Sequence, residues 1–163
     1  MSIELPIVAL QTRQVEGRQE VWDGIRRKWL VLTPEEHVRQ CLIAYLVDVL
    51  RVPKGLISLE RGIRYNTRQK RYDLLVYGRD GQPLILCECK SPRVDLGDAT
   101  LFQWGVYHKE LNAKALLLTN GKILMAAAPD ANAEWKHLHL PLHPGGEGWN
   151  MDCEDWIFLP GQH

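Results

Sequence analysis

Apolar residues fall into two helical stripes, separated and followed by strand-length apolar runs. Val38, Cys41, Leu42, Tyr45, Leu46 and Val49 repeat at three- and four-residue spacing, the signature of one buried helix face. Thr33 precedes the stripe as an N-cap, Pro34 occupies the first turn, and Glu35 and Glu36 complement the positive end of the helix dipole. Glu36, three residues past Thr33, completes a capping box, and Pro53 and Gly55 end the helix near Arg51. A second stripe through Leu101, Trp104, His108 and Leu111 predicts a helix from about Ala99 to Leu111. Strands are predicted at Ile7–Gln11, Leu56–Tyr65 (with Asn66–Lys70 as its turn), Tyr72–Tyr77 and Leu84–Lys90. Lys114–Thr119 and Lys122–Ala128 flank an Asn120-Gly121 turn, and Trp135–Leu140 forms a last strand. Thr12–Glu20 reads as a polar stretch, and Trp22–Leu32 as an approach to the first helix. This order gives an α/β chain with helices flanking a mixed central sheet.

A length of 163 residues suits one domain, 1–163, with an N-terminal extension over 1–20 and an irregular tail over 141–163. The tail, with Pro141, Pro144, Gly145 and Gly146, reads as loop until Asp152–Leu159. No apolar run is long enough to span a membrane, and the N-terminus has no signal-peptide pattern, so a cytoplasmic location is expected. Cys41, Cys87, Cys89 and Cys153 have neither zinc-ribbon nor disulfide spacing and read as reduced thiols. His137, His139 and His143 lie in a polar segment and read as surface residues rather than a metal cluster; Asp95 and Asp98 read as loop and cap residues.

Lys and Arg balance Asp and Glu at 20 each, which excludes an indiscriminate polyanion binder. The charge is nevertheless clustered. Arg61, Arg64, Arg68, Lys70 and Arg71 crowd the approach to Asp73, and Arg26, Arg27 and Lys28 form a second group upstream. The first group either lines a phosphate-binding rim or forms an ordinary solvated hairpin.

Chemistry concentrates between Tyr72 and Lys90. Two apolar strands joined through Gly78, Asp80 and Gly81 carry Asp73 near the start of one and Glu88 and Lys90 at the end of the other. Alternation sets Leu86, Glu88 and Lys90 on one face and Cys87 and Cys89 on the other. Buried charge is costly unless paired or metal-bound. Two acids from adjacent strands suit a hard divalent cation such as Mg²⁺, and an ammonium group beside it suits phosphodiester hydrolysis. The plain alternative is a hairpin with a surface Glu88–Lys90 ion pair.

Asp73, a fourteen-residue gap, and Glu88-Cys89-Lys90 resemble the PD-(D/E)xK nuclease signature, with Tyr72-Asp73 in place of Pro-Asp. Leu32 to Gln40, Lys70 to Asp73, Glu88 to Pro92 and Leu118 to Gly121 together resemble the N-terminal nuclease domain of type I restriction enzyme R subunits, especially small stand-alone bacterial members. The likeness runs from about Trp22 to Pro160. It implies a restriction-endonuclease-like three-layer core and a Mg²⁺-dependent endonuclease, with Mn²⁺ able to substitute. It implies that Asp73, Glu88 and the Cys89 carbonyl hold the metal, that Lys90 orients the water, and that a helix acid completes the cluster. Glu36 is the choice for that acid and Glu35 the runner-up, since helix phase does not separate them. It also implies that Gln103 and Tyr107, four apart on the second helix, position substrate. DNA is the implied partner, alongside a separate motor or specificity protein. Many nucleases of this fold act as dimers, so a homodimer is among the expected assemblies. Whole R subunits carry a motor, whereas this sequence contains no GxxxxGK phosphate loop. The alternative reading is therefore a catalytically silent module of the same fold that binds nucleic acid or protein.

Overall fold

Two helices cover opposite faces of one mixed sheet in the structure, a computed structural model that describes residues 2–5, 8–59, 62–65 and 68–138. The strands in chain order are β1 (Ser2–Glu4), β2 (Thr12–Val15), β3 (Arg18–Asp23), β4 (Lys28–Val31), β5 (Ile57–Leu59), β6 (Gly62–Tyr65), β7 (Arg68–Arg71), β8 (Leu74–Tyr77), β9 (Pro83–Cys89), β10 (Ala115–Thr119), β11 (Ile123–Pro129) and β12 (Trp135–His137). The helices are α1 (Pro34–Ala44) and α2 (Asp98–Tyr107). The main sheet runs β1-β11-β10-β9-β8-β5, with β12 also on β11. Among the described residues only β9 and β10 pair in parallel, because α2 carries the chain across between them.

Alternation along the central strands divides the core. Leu74, Val76, Ile85, Cys87 and Leu117 pack with Leu42, Tyr45 and Leu46 on the α1 side. Leu75, Leu86, Leu116 and Leu118 pack with Leu101 and Leu111 on the α2 side. The chain is thus α/β with a mixed sheet between helices, as expected.

Thr33 caps α1, its Oγ1 accepting the Glu36 N–H at 3.1 Å. The predicted capping box is only half made. The Thr33 N–H bonds Val31 O at 3.1 Å, and the Glu36 carboxylate turns away to Arg26, Arg39 and Gln40. Beyond Ala44 the helix widens over Tyr45–Val49, where the Leu50 N–H reaches back five residues to Tyr45 O. Arg51 then takes a positive φ of 58° that ends it.

Several expected boundaries shift. Residues 8–11 are loop rather than strand, with Val8 and Leu10 packed on the α1-side core; Ile7 lies outside the described residues. The polar stretch and the approach to the helix instead form a separate β2-β3-β4 sheet. Its first turn, Glu16-Gly17, has φ of 49° and 76°, the paired positive values of a two-residue hairpin. The single strand predicted at Leu56–Tyr65 is split. β5 joins the main sheet, whereas β6 pairs with β7 in its own ribbon. Arg68 to Lys70 therefore belong to a strand rather than a turn, and Asn66 lies outside the described residues. The second helix ends at Tyr107 and continues as a tighter turn over Lys109–Leu111. His139, His143, Cys153 and the run Asp152–Leu159 lie outside the described residues.

Thr119 and Asn120 build the turn before β11. Thr119 Oγ1 donates to Ile123 O at 2.6 Å, and Asn120 Oδ1 accepts the N–H groups of Lys122 and Ile123. Gly121 has φ of 87°, and a Cβ there would lie 2.9 Å from Val38 Cγ2 of α1. Replacing Gly121 with Ala is expected to destabilise the protein by about 1–3 kcal/mol, through left-handed strain plus that clash. A lower urea midpoint at unchanged m-value checks this.

Candidate active site at the open end of β8 and β9

The register of β8 and β9 brings the two acids together. Leu74 pairs with Cys87, and one antiparallel step outward sets Asp73 opposite Glu88. The backbone ladder stops before that step. Asp73 Oδ2 accepts the Cys89 N–H at 2.7 Å, a bond a strand carbonyl would otherwise accept. This is why β8 begins at Leu74 and not at Tyr72. Lys90 continues from β9, its N–H donating to Thr119 O at 2.8 Å. The site thus lies at the carboxyl ends of the parallel pair β9 and β10, where open α/β sheets bind ligands.

Like charges opposed across two strands repel. Burial raises the Glu88 pKa above its ordinary value, and the Asp73 charge raises it further. Lys90 Nζ, 2.9 Å from Glu88 Oε1, opposes the rise without cancelling it. A raised folded-state pKa means that stability is greatest below the unfolded pKa and declines as pH rises through the folded value. Glu88→Gln is therefore expected to raise the melting temperature at pH 7–8, with the gain vanishing as pH falls below about 4.3. Thermal melts of both proteins across that range check it.

The first helix supplies Glu36, which is buried, whereas Glu35 is exposed. Glu36 does not touch the acid pair directly. Its Oε2 forms a close ion pair with Arg39 Nη1, and its Oε1 accepts from Arg26 Nη2 at 3.2 Å and Gln40 Nε2 at 3.0 Å. Arg39 then extends Nη2 to within 3.9 Å of Asp73 Oδ1. Behind this lies Asp23, fully buried at the end of β3. It accepts from the Ile25 and Arg26 backbone N–H groups, from Arg26 Nε at 2.8 Å and from Gln40 Nε2 at 3.1 Å. Burial alone would raise its pKa. The Arg26 backbone N–H, the Arg26 guanidinium and the Gln40 amide overcome that and hold it below the usual carboxylate value.

Among the described residues, no group of three or more His, Cys, Asp and Glu side chains is arranged to hold a metal. The side-chain donor set at this end of the sheet is the Asp73–Glu88 pair. Mg²⁺ keeps several waters and takes one or two carboxylates, and mutual repulsion of the two acids is what a divalent cation would relieve. The residues fit such an ion. Burial pushes the Cys89 thiol pKa well up, and the side chain packs against the α1-side core.

Gln103 is exposed on α2, and Tyr107 lies in the same helix with its side chain outside the described residues. Arg64, Arg68, Lys70 and Arg71 all lie on the β6–β7 ribbon, in which Ile63 pairs with Lys70 and Arg64 with Gln69. The ribbon runs directly into Tyr72 and Asp73; its side chains lie outside the described residues. His137 Nε2 lies 3.1 Å from Asp98 Oδ1, and its ring stands 5.6 Å from that of Phe102. The sequence assigned no site role to Asp23, Arg39 or Gln40, and it placed Arg26 only in an upstream basic group. The signal for two of them was spacing: Arg39 and Gln40 stand three and four residues past Glu36, on the same helix face.

A protein-family model for the type I restriction enzyme R protein N terminus matches residues 34–138, more than half of the chain. The chain belongs to this family. The R-protein match opens on the first residue of α1 and closes just past β12, a shorter span than the Trp22-to-Pro160 likeness expected from motifs. It takes in Glu36, Arg39, Asp73, Glu88 and Lys90, and leaves the β2-β3-β4 sheet, with Asp23 and Arg26, outside. No curated protein matches the chain. Among its described residues, no helix is long and apolar enough to cross a membrane.

Proposed function

We propose that this R-protein N-terminal domain is a metal-dependent endonuclease that hydrolyses phosphodiester bonds in DNA, in the service of restriction. The observation that carries the reading is the register that opposes Asp73 and Glu88 where the ladder opens, with Lys90 Nζ 2.9 Å from Glu88. Asp73 and Glu88, with the Cys89 carbonyl, would hold Mg²⁺ or Mn²⁺. The ion supplies Lewis-acid polarisation of the phosphoryl oxygen and an acidified water. Lys90 orients the attacking water and stabilises charge developing on the phosphorus oxygens. Glu36 contributes from α1, and Gln103 and Tyr107 position substrate from α2. Arg64, Arg68, Lys70 and Arg71 contact phosphates from the basic ribbon, a shape the major groove of B-form DNA admits. The family description names the R protein of a type I restriction enzyme, and a separate motor or specificity protein is the proposed partner besides DNA. A homodimer would supply one site per strand.

A second reading, a silent binding module, is favoured by one observation: Lys90 and Arg39 already lie close enough to Glu88 and Asp73 to compensate their charge internally. Calorimetric titration with Mn²⁺ separates the two. The nuclease reading expects saturable binding that Asp73→Asn abolishes, together with Mg²⁺-dependent nicking of plasmid DNA. DNA retention without Mn²⁺ binding supports the silent module instead.

A further inference from the structure

From the chain of alternating charges that enters the site from behind, we infer that Arg39 is a positioning residue for Asp73, itself held by Glu36 and anchored on Asp23 of the neighbouring sheet. The inference rests on the nuclease reading for its purpose, though not for its geometry. Asp23 pairs with Arg26 at 2.8 Å, Arg26 with Glu36 at 3.2 Å, Glu36 closely with Arg39, and Arg39 with Asp73 at 3.9 Å. The signs run minus, plus, minus, plus, minus. Gln40 bonds both Glu36 and Asp23 and so braces the middle of the row.

The physical need for such a device is specific. Asp73 stands where the strand ladder has ended, so no backbone pairing fixes it. One of its oxygens is seated on the Cys89 N–H, and the other faces Arg39. Glu88, directly across, pushes it away. An arginine on the far side pulls against that repulsion, and its planar fork, already held by Glu36, is fixed in direction. Arg39 and Glu36 are buried, so their attraction is little weakened by solvent or salt. Glu36 is on this account no metal ligand. It acts through Arg39. The anchor residues Asp23 and Arg26 lie before the family match, so the β2-β3-β4 sheet has an active-site role through this row of charges.

Amide hydrogen exchange in the metal-free full chain tests the inference without requiring activity. The Cys89 N–H reports whether Asp73 remains seated, and the Leu117 N–H in the central strand reports global stability. Arg39→Met is expected to speed Cys89 exchange about tenfold or more at nearly unchanged Leu117 exchange, and Arg39→Lys to restore most of the protection. Glu36→Gln, which keeps the shape and removes the charge that holds Arg39, is expected to give the same selective loss. Unchanged Cys89 exchange in Arg39→Met overturns the inference. So does equal acceleration at Cys89 and Leu117 in both Arg39→Met and Glu36→Gln, since that marks a merely structural arginine. Absent Mn²⁺ binding in the parent protein, with selective exchange still observed, would sink the nuclease reading and leave the positioning row standing.

Discussion

Lys90→Ala is expected to lower Mg²⁺-dependent DNA cleavage by about two to three orders of magnitude, the usual cost of removing one group that stabilises developing charge. The fold should hardly notice. Lys90 is more than a third exposed, and its pair with Glu88 is of the surface kind, worth about 1 kcal/mol or less. Mn²⁺ affinity should stay the same or tighten, because a positive charge leaves the neighbourhood of Asp73 and Glu88. Plasmid nicking rates and calorimetry on the same preparations read both quantities. Cleavage at the parental rate in this variant would remove the proposed mechanism.

The largest expected loss of stability comes from Asp23→Ala, about 3–5 kcal/mol, the cost of breaking a buried ion pair from one side. The carboxylate is fully buried, closes the β3–β4 turn through two backbone N–H groups, and ties Arg26 and Gln40 to it. Its removal leaves the Arg26 guanidinium and the Gln40 amide short of an acceptor. Asp23→Asn keeps an oxygen for the turn and should lose less. A pH dependence accompanies the effect. The folded-state pKa of Asp23 is depressed, so its contribution is complete above the unfolded value near 3.8 and is lost as pH falls towards and through the folded one. Urea titrations of parent and Asp23→Ala should therefore converge under acid conditions; a constant difference down to pH 2 would contradict this account.

Much of the fold was legible because its signals are local. Thr33-Pro34-Glu35-Glu36 announces a helix start through capping chemistry alone, and the structure places α1 there. Asn120-Gly121 announces a hairpin because one position needs a positive φ, and Gly121 takes it. The strands carrying Leu75, Leu86 and Leu117 read as apolar runs because both faces of the sheet are covered by helices. The β2-β3-β4 sheet escaped notice for the opposite reason. Most of Thr12 to Glu20 is exposed on both faces, so no alternation marks it, and the two-residue turn at Glu16-Gly17 was the available clue.

Among the candidate site residues, Asp73, Glu88 and Lys90 stood out as an acid, a gap and an acid–lysine pair, all within a single hairpin. Their chemical types and their order were determined by sequence, because turn and alternation bring them to one end of two adjacent strands whatever the rest of the chain does. Which helix acid turns inward was not. Glu35 and Glu36 are equivalent in helix phase, and the choice depends on Arg26 arriving from a separate sheet and Arg39 spanning to Asp73. Those contacts join residues far apart in the chain, and their attraction exists only once packing has removed the water between them.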